Sequence, residues 1–362
     1  MASAQMVSRI LARNRLEFMA AAQRRVLGAL VRLMGKAWGV RSSIFGGLSK
    51  EWRATREGIA SFRNQQGRLG WNHSLLARNA HRLEKGLIMR PRRDIFALDY
   101  IEETVTAYAS ALDAARNGKA PCPEQLQWVG DVLEQYFAVV GSHPKINPLR
   151  EVFSALPKPP QVCSESLVPY RRDLSAPPPV AYDDLAALAK RRRSVRWFLP
   201  KAVPRELIDK AMLIAAQSPS ACNRQPFVFR IFDDPDLVQK VASIPYGVIG
   251  YEHQIPVIVV IVGQLRNFFD ARDRHLIYID GALAAMSFVF ALETLGLSSC
   301  CINWPDLPDR EKKMAELLHL EPDERPVMLV AVGWPDPDGL VPRSVKKPLR
   351  LLRQYNFEPP VS

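Results

Sequence analysis

The reading of this chain turns on Ser218-Pro219-Ser220-Ala221-Cys222-Asn223-Arg224-Gln225-Pro226-Phe227 and on the earlier run Arg191-Arg192-Arg193-Ser194-Val195-Arg196-Trp197-Phe198. Pro219 and Pro226 argue against a continuous helix across the decapeptide, so it reads as a loop between a helix over residues 206–216 and a strand over 227–232. Its Ser, Asn and Gln side chains carry both donors and acceptors, a combination that can read the edge of a heterocycle. The arginine run follows a helix expected over 182–190 and admits two readings. It is either a solvated helix end or a grip on phosphate, with planar bidentate guanidinium donors around the Ser194 hydroxyl.

Downstream, an apolar run predicts a buried strand over 255–262 and a long apolar helix over 279–295. The most apolar part of that helix, 281–292, lies between Asp280 and Glu293 and reads as a core helix, not a bilayer span. A turn over 296–304, a strand over 327–332 and a basic ending over 342–349 complete this half.

In order and separation, the R-R-S-x-R run and the S-P-S-x-x-N-x-Q-P-aromatic loop resemble those of the nitroreductase family of FMN-dependent oxidoreductases, and the resemblance covers residues 181–355. It implies an α+β class with the nitroreductase-like fold: a mixed, mostly antiparallel sheet flanked by helices, in an intertwined homodimer. It also implies that Arg192, Arg193, Ser194 and Arg196 meet the phosphate, ribityl chain and pyrimidine edge of FMN, with Lys346 completing the phosphate site. Pro219, Ser220, Asn223 and Gln225 match the loop that reaches the flavin from the neighbouring subunit. Cys301, Ile302 and Asn303 match the segment lying against the isoalloxazine, where a backbone N–H can stabilise developing charge. Two positions depart from the family pattern: Asn303 and Trp304 stand where members commonly carry a carboxylate or glycine, and Ser344 precedes Lys346, with Arg343 and Lys347 as substitutes.

The 362 residues, 48% hydrophobic and 24% charged, exclude a collagen-like or wholly disordered chain. Five segments are expected: a basic amphipathic stretch (1–50), a helical accessory region (51–155), a Pro-rich linker (156–180), the FMN-binding unit (181–355) and a tail (356–362). Helices in the accessory region are expected over 71–87, 95–116 and 123–140. The net charge of +12 is local: residues 1–100 hold 19 Lys+Arg against 6 Asp+Glu, and the rest hold 30 against 31, so any anionic partner meets the first quarter.

Within residues 22–40, Arg24, Arg25, Arg32 and Lys36 fall opposite Leu27, Leu30, Val31, Leu33, Met34 and Trp38 on a helical wheel. That face suits an anionic membrane interface, a helix packed on its own protein, or an organelle-targeting segment. The expectation is a cytoplasmic protein, with peripheral contact at the inner face of the membrane under the first of these readings. Nucleic-acid binding is not expected, because the basic excess lacks interleaved aromatics and a reader's fold signature.

The cysteines are odd in number and scattered, which speaks against a disulfide framework, and the vicinal Cys300 and Cys301 read as ordinary small residues. His73, His81 and Glu84 share one helix face, but a cap or interface is favoured over a metal site, and no metal is expected. The string His81-Arg82-Leu83-Glu84-Lys85-Gly86-Leu87 resembles an N-terminal element attached to flavoenzyme-like proteins of polysaccharide gene neighbourhoods. No catalytic triad or paired carboxylate is visible, which suits chemistry carried by a cofactor. The resemblance therefore implies hydride passage from NAD(P)H through FMN to an electron-poor acceptor: a nitroaromatic, quinone or activated alkene. The alternative is a membrane-surface accessory or scaffolding protein of polysaccharide biosynthesis, with a flavin-binding but weakly active domain.

Overall fold

The computed structural model describes residues 43–64, 73–118 and 122–356. The basic segment over 22–40 and most of the tail expected over 356–362 lie outside the described residues.

Helices α1 (Ser43–Arg63), α2 (Ser74–Leu87), α3 (Ile101–Arg116), α4 (Pro123–Val139) and α5 (Asn147–Ala155) come first. On α2 to α4, apolar residues at three and four spacing make one core: Leu76, Ala80 and Leu83 meet Ile101, Val105 and Tyr108, and these meet Leu126, Val129, Leu133 and Tyr136. His73 caps α2, its Nδ1 accepting from the Leu76 N–H at 3.4 Å, and Pro123 opens α4 where its missing N–H costs nothing. Helix α3 begins at Ile101, six residues later than the periodicity predicts, because Ala97 takes a left-handed φ of 67° that breaks the turn before it. The proline-rich stretch that follows is strapped to α4. The Gln127 amide accepts from the Val162 and Cys163 N–H groups at 2.8 and 2.9 Å, and Asp131 accepts from the Leu167 N–H at 2.8 Å.

The second unit runs α6 (Tyr182–Arg191), α7 (Arg205–Ala215), β1 (Phe227–Phe232), α8 (Pro235–Ala242), β2 (Val257–Gln264), α9 (Leu276–Thr294), β3 (Ser298–Asn303), α10 (Pro308–Leu318) and β4 (Glu324–Gly333). The strands form an antiparallel sheet in the order β1-β2-β4-β3, with Val257 opposite Val332 and Cys300 opposite Ala331. The α+β fold expectation holds.

The run Val257 to Gly263 is buried throughout because both of its faces are covered. Val257, Val259 and Ile261 join the core under α7 and α9, whereas Ile258, Val260 and Val262 join the core under α8 and α10. The stretch over 296–304, expected as a turn, contains a full strand. Cys300 and Ile302 alternate into the core there, and β4 supplies the ladder, a partner invisible to local sequence.

Helix α9 has the length and hydropathy of a bilayer span, yet half of its most apolar window is buried, and Ala284, Phe288 and Leu292 pack into the core of the second unit. Its open side carries Ile279, Leu283 and Met286, exposed at 48%, 43% and 40%.

Helix α1 docks on this second unit. Ala54 packs with Leu265, Phe268 and Ile277, and a Cβ on Gly58 would lie 2.7 Å from the Leu265 backbone, so glycine permits the approach. At the same seam, buried Arg325 pairs with Glu51 at 2.6 Å, Asp306 at 2.8 Å and Glu311 at 3.2 Å.

Candidate functional site

The arginine run is held at the edge of the sheet. The Val195 N–H donates to the Ser299 carbonyl at 3.0 Å, which sets Ser194 beside β3 as a short parallel bridge. Farther along, the Leu199 N–H donates to the Trp334 carbonyl at 2.9 Å, past the end of β4. These two clamps fix the intervening residues in an extended line. The bridge at Ser194 lays the run along the strand that carries Cys301, and the Arg192 charge pulls weakly on that thiol.

Arg191, at the end of α6, is taken out of the cluster by Glu293 of α9, at 2.9 Å. Arg193 donates to the Pro342 carbonyl at 2.6 Å and to the Arg343 carbonyl, tying the basic ending to the run. Lys346 sits on that tethered, exposed segment. The guanidinium of Arg196 approaches the Tyr251 ring at 5.9 Å, and its carbonyl accepts from the Gln254 side chain at 2.8 Å. Arg192, Arg193, Ser194, Arg196, Cys301, Ile302, Asn303 and the tail of Lys346 are thus brought to one edge of the sheet.

Along β3 the side chains alternate: Ile302 is buried, while Cys301 and Asn303 reach the surface. Crowding by protein, then the neighbouring Cys300, pushes the Cys301 thiol up, against a smaller opposing pull from Arg192. It therefore stays a neutral thiol at neutral pH. Cys300 points the other way into the core and takes a 3.7 Å contact from the Tyr251 hydroxyl, so the vicinal pair faces opposite sides of the strand.

The loop bearing Pro219, Ser220, Asn223 and Gln225 sits elsewhere on the same chain, against α9 between Asp280 and Ser287. The Ser218 hydroxyl donates to Ser287 Oγ at 2.7 Å, and the Ala221 N–H donates to Asp280 at 2.9 Å. Burial raises the Asp280 carboxyl, and the Ala221 hydrogen bond and Arg224 partly offset this. Cys222, Asn223 and Gln225 take left-handed φ values of 54°, 50° and 47°, strained for side-chain-bearing residues. The loop holds them with its own bonds: the Gln225 N–H donates to Ser220 Oγ at 3.1 Å, and the Asn223 N–H to the Ser220 carbonyl at 3.0 Å. Asn223 and Gln225 end exposed. The arginine run anchors on Glu293, thirteen residues further along α9 than Asp280, or roughly 20 Å at 1.5 Å per residue. One chain therefore presents two polar half-sites, anchored at separate points of α9.

The donor chemistry fits a flavin mononucleotide. The sheet edge offers guanidiniums, a hydroxyl and the basic tail, with no carboxylate in the run itself, as a phosphate dianion requires. The loop offers amide and hydroxyl groups on a preset backbone, as a pyrimidine edge requires.

The residues bracing these half-sites were not legible in sequence. Glu293, Gln254, Tyr251 and Asp280 carry no local motif, and they join their partners across 102, 58, 55 and 59 residues. The metal expectation is simpler. Glu84 accepts from the Trp128 indole at 2.9 Å and lies 3.6 Å from His81, His73 is a cap, and among the described residues no cluster of three His, Cys, Asp or Glu could hold a metal.

Comparison with known proteins places this architecture. The family model described as "Nitroreductase family" matches residues 189–248 and 252–334. A putative NADH dehydrogenase/NAD(P)H nitroreductase of Methanothermobacter thermautotrophicus is 26% identical over 153 residues, 42% of this chain and 78% of that protein. Iodotyrosine deiodinase 1 of Homo sapiens is 25% identical over 190 residues, 45% of this chain and 65% of that protein. Among solved structures, an FMN-dependent nitroreductase from Clostridium difficile aligns with a TM-score of 0.41 and 21% identity, covering 48% of this chain and 99% of that one. The family match falls on the part of the chain that carries the paired polar elements and the antiparallel sheet, so residues 189–248 and 252–334 are similar to the nitroreductase family.

Proposed function

We propose that the protein is an FMN-dependent oxidoreductase that takes hydride from NAD(P)H and delivers it to an electron-poor organic acceptor such as a nitroaromatic, quinone or activated alkene. The observation that carries this reading is the placement of the run Arg192 to Arg196, with the tail tethered by Arg193, along the β3 edge of the sheet. Bound FMN would supply the hydride chemistry, accepting from the dinucleotide and giving to the acceptor. Arg192, Ser194 and Arg196 would hold the phosphate and ribityl chain, with Lys346 adding a cation from the tail. The end of β3, at Cys301 to Asn303, would present backbone N–H groups to the ring. Ile302 beneath and the sheet behind it exclude water from that side.

The loop carrying Ser220, Asn223 and Gln225 would complete the site from a second copy of the chain. Two features support a homodimer. The loop is braced on the same stretch of α9 that leaves Ile279, Leu283 and Met286 open, and α7 leaves Leu213 and Ile214 exposed at 68% and 53%. A second copy covering this apolar face would bury it and carry the loop to the neighbouring sheet edge. The deiodinase relatives add halogenated tyrosines to the acceptors worth assaying.

The absorption spectrum of the purified protein tests the proposal: a yellow protein, bleached by NADH or NADPH and recoloured by a nitroaromatic or quinone, is expected. A protein that stays colourless after incubation with FMN overturns it.

A further inference from the structure

Helix α2 of the helical region lies against the loop over 218–225, and it brings a cation there. The guanidinium of Arg78 stacks 4.5 Å from the centre of the Phe269 ring, and Arg272 approaches the same ring at 4.9 Å. Arg224 sits 4.9 Å over the adjoining Phe268. Asp273 serves two of these three cations, at 3.6 Å from Arg224 and 3.8 Å from Arg272. Among the described residues Arg78 has no carboxylate within ion-pair distance; it donates to Asn79 Oδ1 at 3.4 Å, and that amide in turn donates to Glu103 at 3.2 Å. Burial, followed by the charges of Arg82 and Arg224, pulls Arg78 below the ordinary arginine range, only partly offset by Glu103 and Cys222. A half-buried guanidinium held among like charges is relieved by an anion, and its planar fork suits a carboxylate or phosphate.

We propose that Arg78, with Arg272 at its rim, binds the oxyanion of the molecule that exchanges hydride at the flavin, so that the helical region selects anionic substrates. This rests on the flavin and dimer reading above, in which the loop carries α2 with it to the neighbouring copy's cofactor. The oxyanion has two sources, a carboxylate on the acceptor or a phosphate on the dinucleotide, and the experiment separates them.

Full-length Arg78→Ala and Arg272→Ala proteins are compared with the parent in two ways. Steady-state assays give the ratio of KM for 4-nitrobenzoate to KM for 4-nitrobenzyl alcohol, and KM for NADH and NADPH. Calorimetric titrations give Kd for benzoate and for inorganic pyrophosphate. If the acceptor supplies the carboxylate, Arg78→Ala raises the nitrobenzoate ratio and the benzoate Kd by about tenfold or more. If the dinucleotide supplies the phosphate, its KM and the pyrophosphate Kd rise instead. Arg272→Ala moves the same quantity less, and carries the test should Arg78→Ala fail to fold. Ratios and dissociation constants within twofold of the parent in every arm overturn the anion site. A colourless protein overturns the flavin reading instead, and the titrations then judge the anion site by themselves.

Discussion

Replacing Glu51 by alanine tests whether helix α1 is welded to the second unit. Glu51 holds Arg325 at 2.6 Å, and the Tyr278 hydroxyl donates to the same carboxylate at 2.9 Å. Arg325 is only 3% exposed, so water compensates its loss poorly. A hydrogen bond to a charged group contributes about 1.5–3 kcal/mol, and an orphaned hydroxyl adds about 1 kcal/mol. Asp306 and Glu311 remain beside Arg325, so the ~3–5 kcal/mol of a fully broken buried pair is not reached. The expected loss is about 3 kcal/mol, which lowers Tm by roughly 6–12 °C at 2–4 °C per kcal/mol for a unit of this size. The assay is thermal melting followed by circular dichroism at 222 nm. Glu51→Gln keeps an acceptor for Tyr278 and is expected to lose about half as much. If Glu51→Ala melts within about 2 °C of the parent, the ion network does not couple α1 to the fold and the reasoning fails.

Three further outcomes are expected. His73 is a neutral cap whose pKa burial lowers to about 4, from an unfolded value near 6.5. The unfolded chain binds the extra proton first, so its contribution is complete above pH 6.5 and is lost as pH falls toward 4; His73→Asn should flatten that acid limb in melts taken at successive pH values. Tyr108 and Tyr136 are both buried, but among the described residues the Tyr136 hydroxyl has an acceptor, the Phe96 carbonyl at 2.9 Å, while that of Tyr108 has none. Tyr136→Phe should therefore cost about 1 kcal/mol in urea unfolding and Tyr108→Phe should cost nothing or stabilise; equal losses would contradict the bonding pattern. Arg193→Ala frees the tail that carries Lys346, and should lower the flavin-to-protein ratio after gel filtration by about tenfold in affinity. Unchanged retention would remove the tail from the site.

The sequence by itself determined the elements whose physics is local. Two prolines around the six residues 220–225 dictated the loop, an unbroken apolar run dictated the buried strand later found at Val257–Gln264, and three-and-four spacing dictated the core helices. It also supplied the donor chemistry of both half-sites through the identity of Arg192, Ser194, Asn223 and Gln225. Tertiary structure alone decided what these groups face. The strand at Ser298–Asn303 exists because β4 gives it a ladder, α1 joined the second unit because Arg325 lay waiting 274 residues away, and Arg78 met the 218–225 loop through a packing of helix on loop. Propensity and periodicity act over a few residues and are written in neighbours. Pairing partners and charge partners are chosen by the three-dimensional path of the chain, and leave no mark on the sequence around either member.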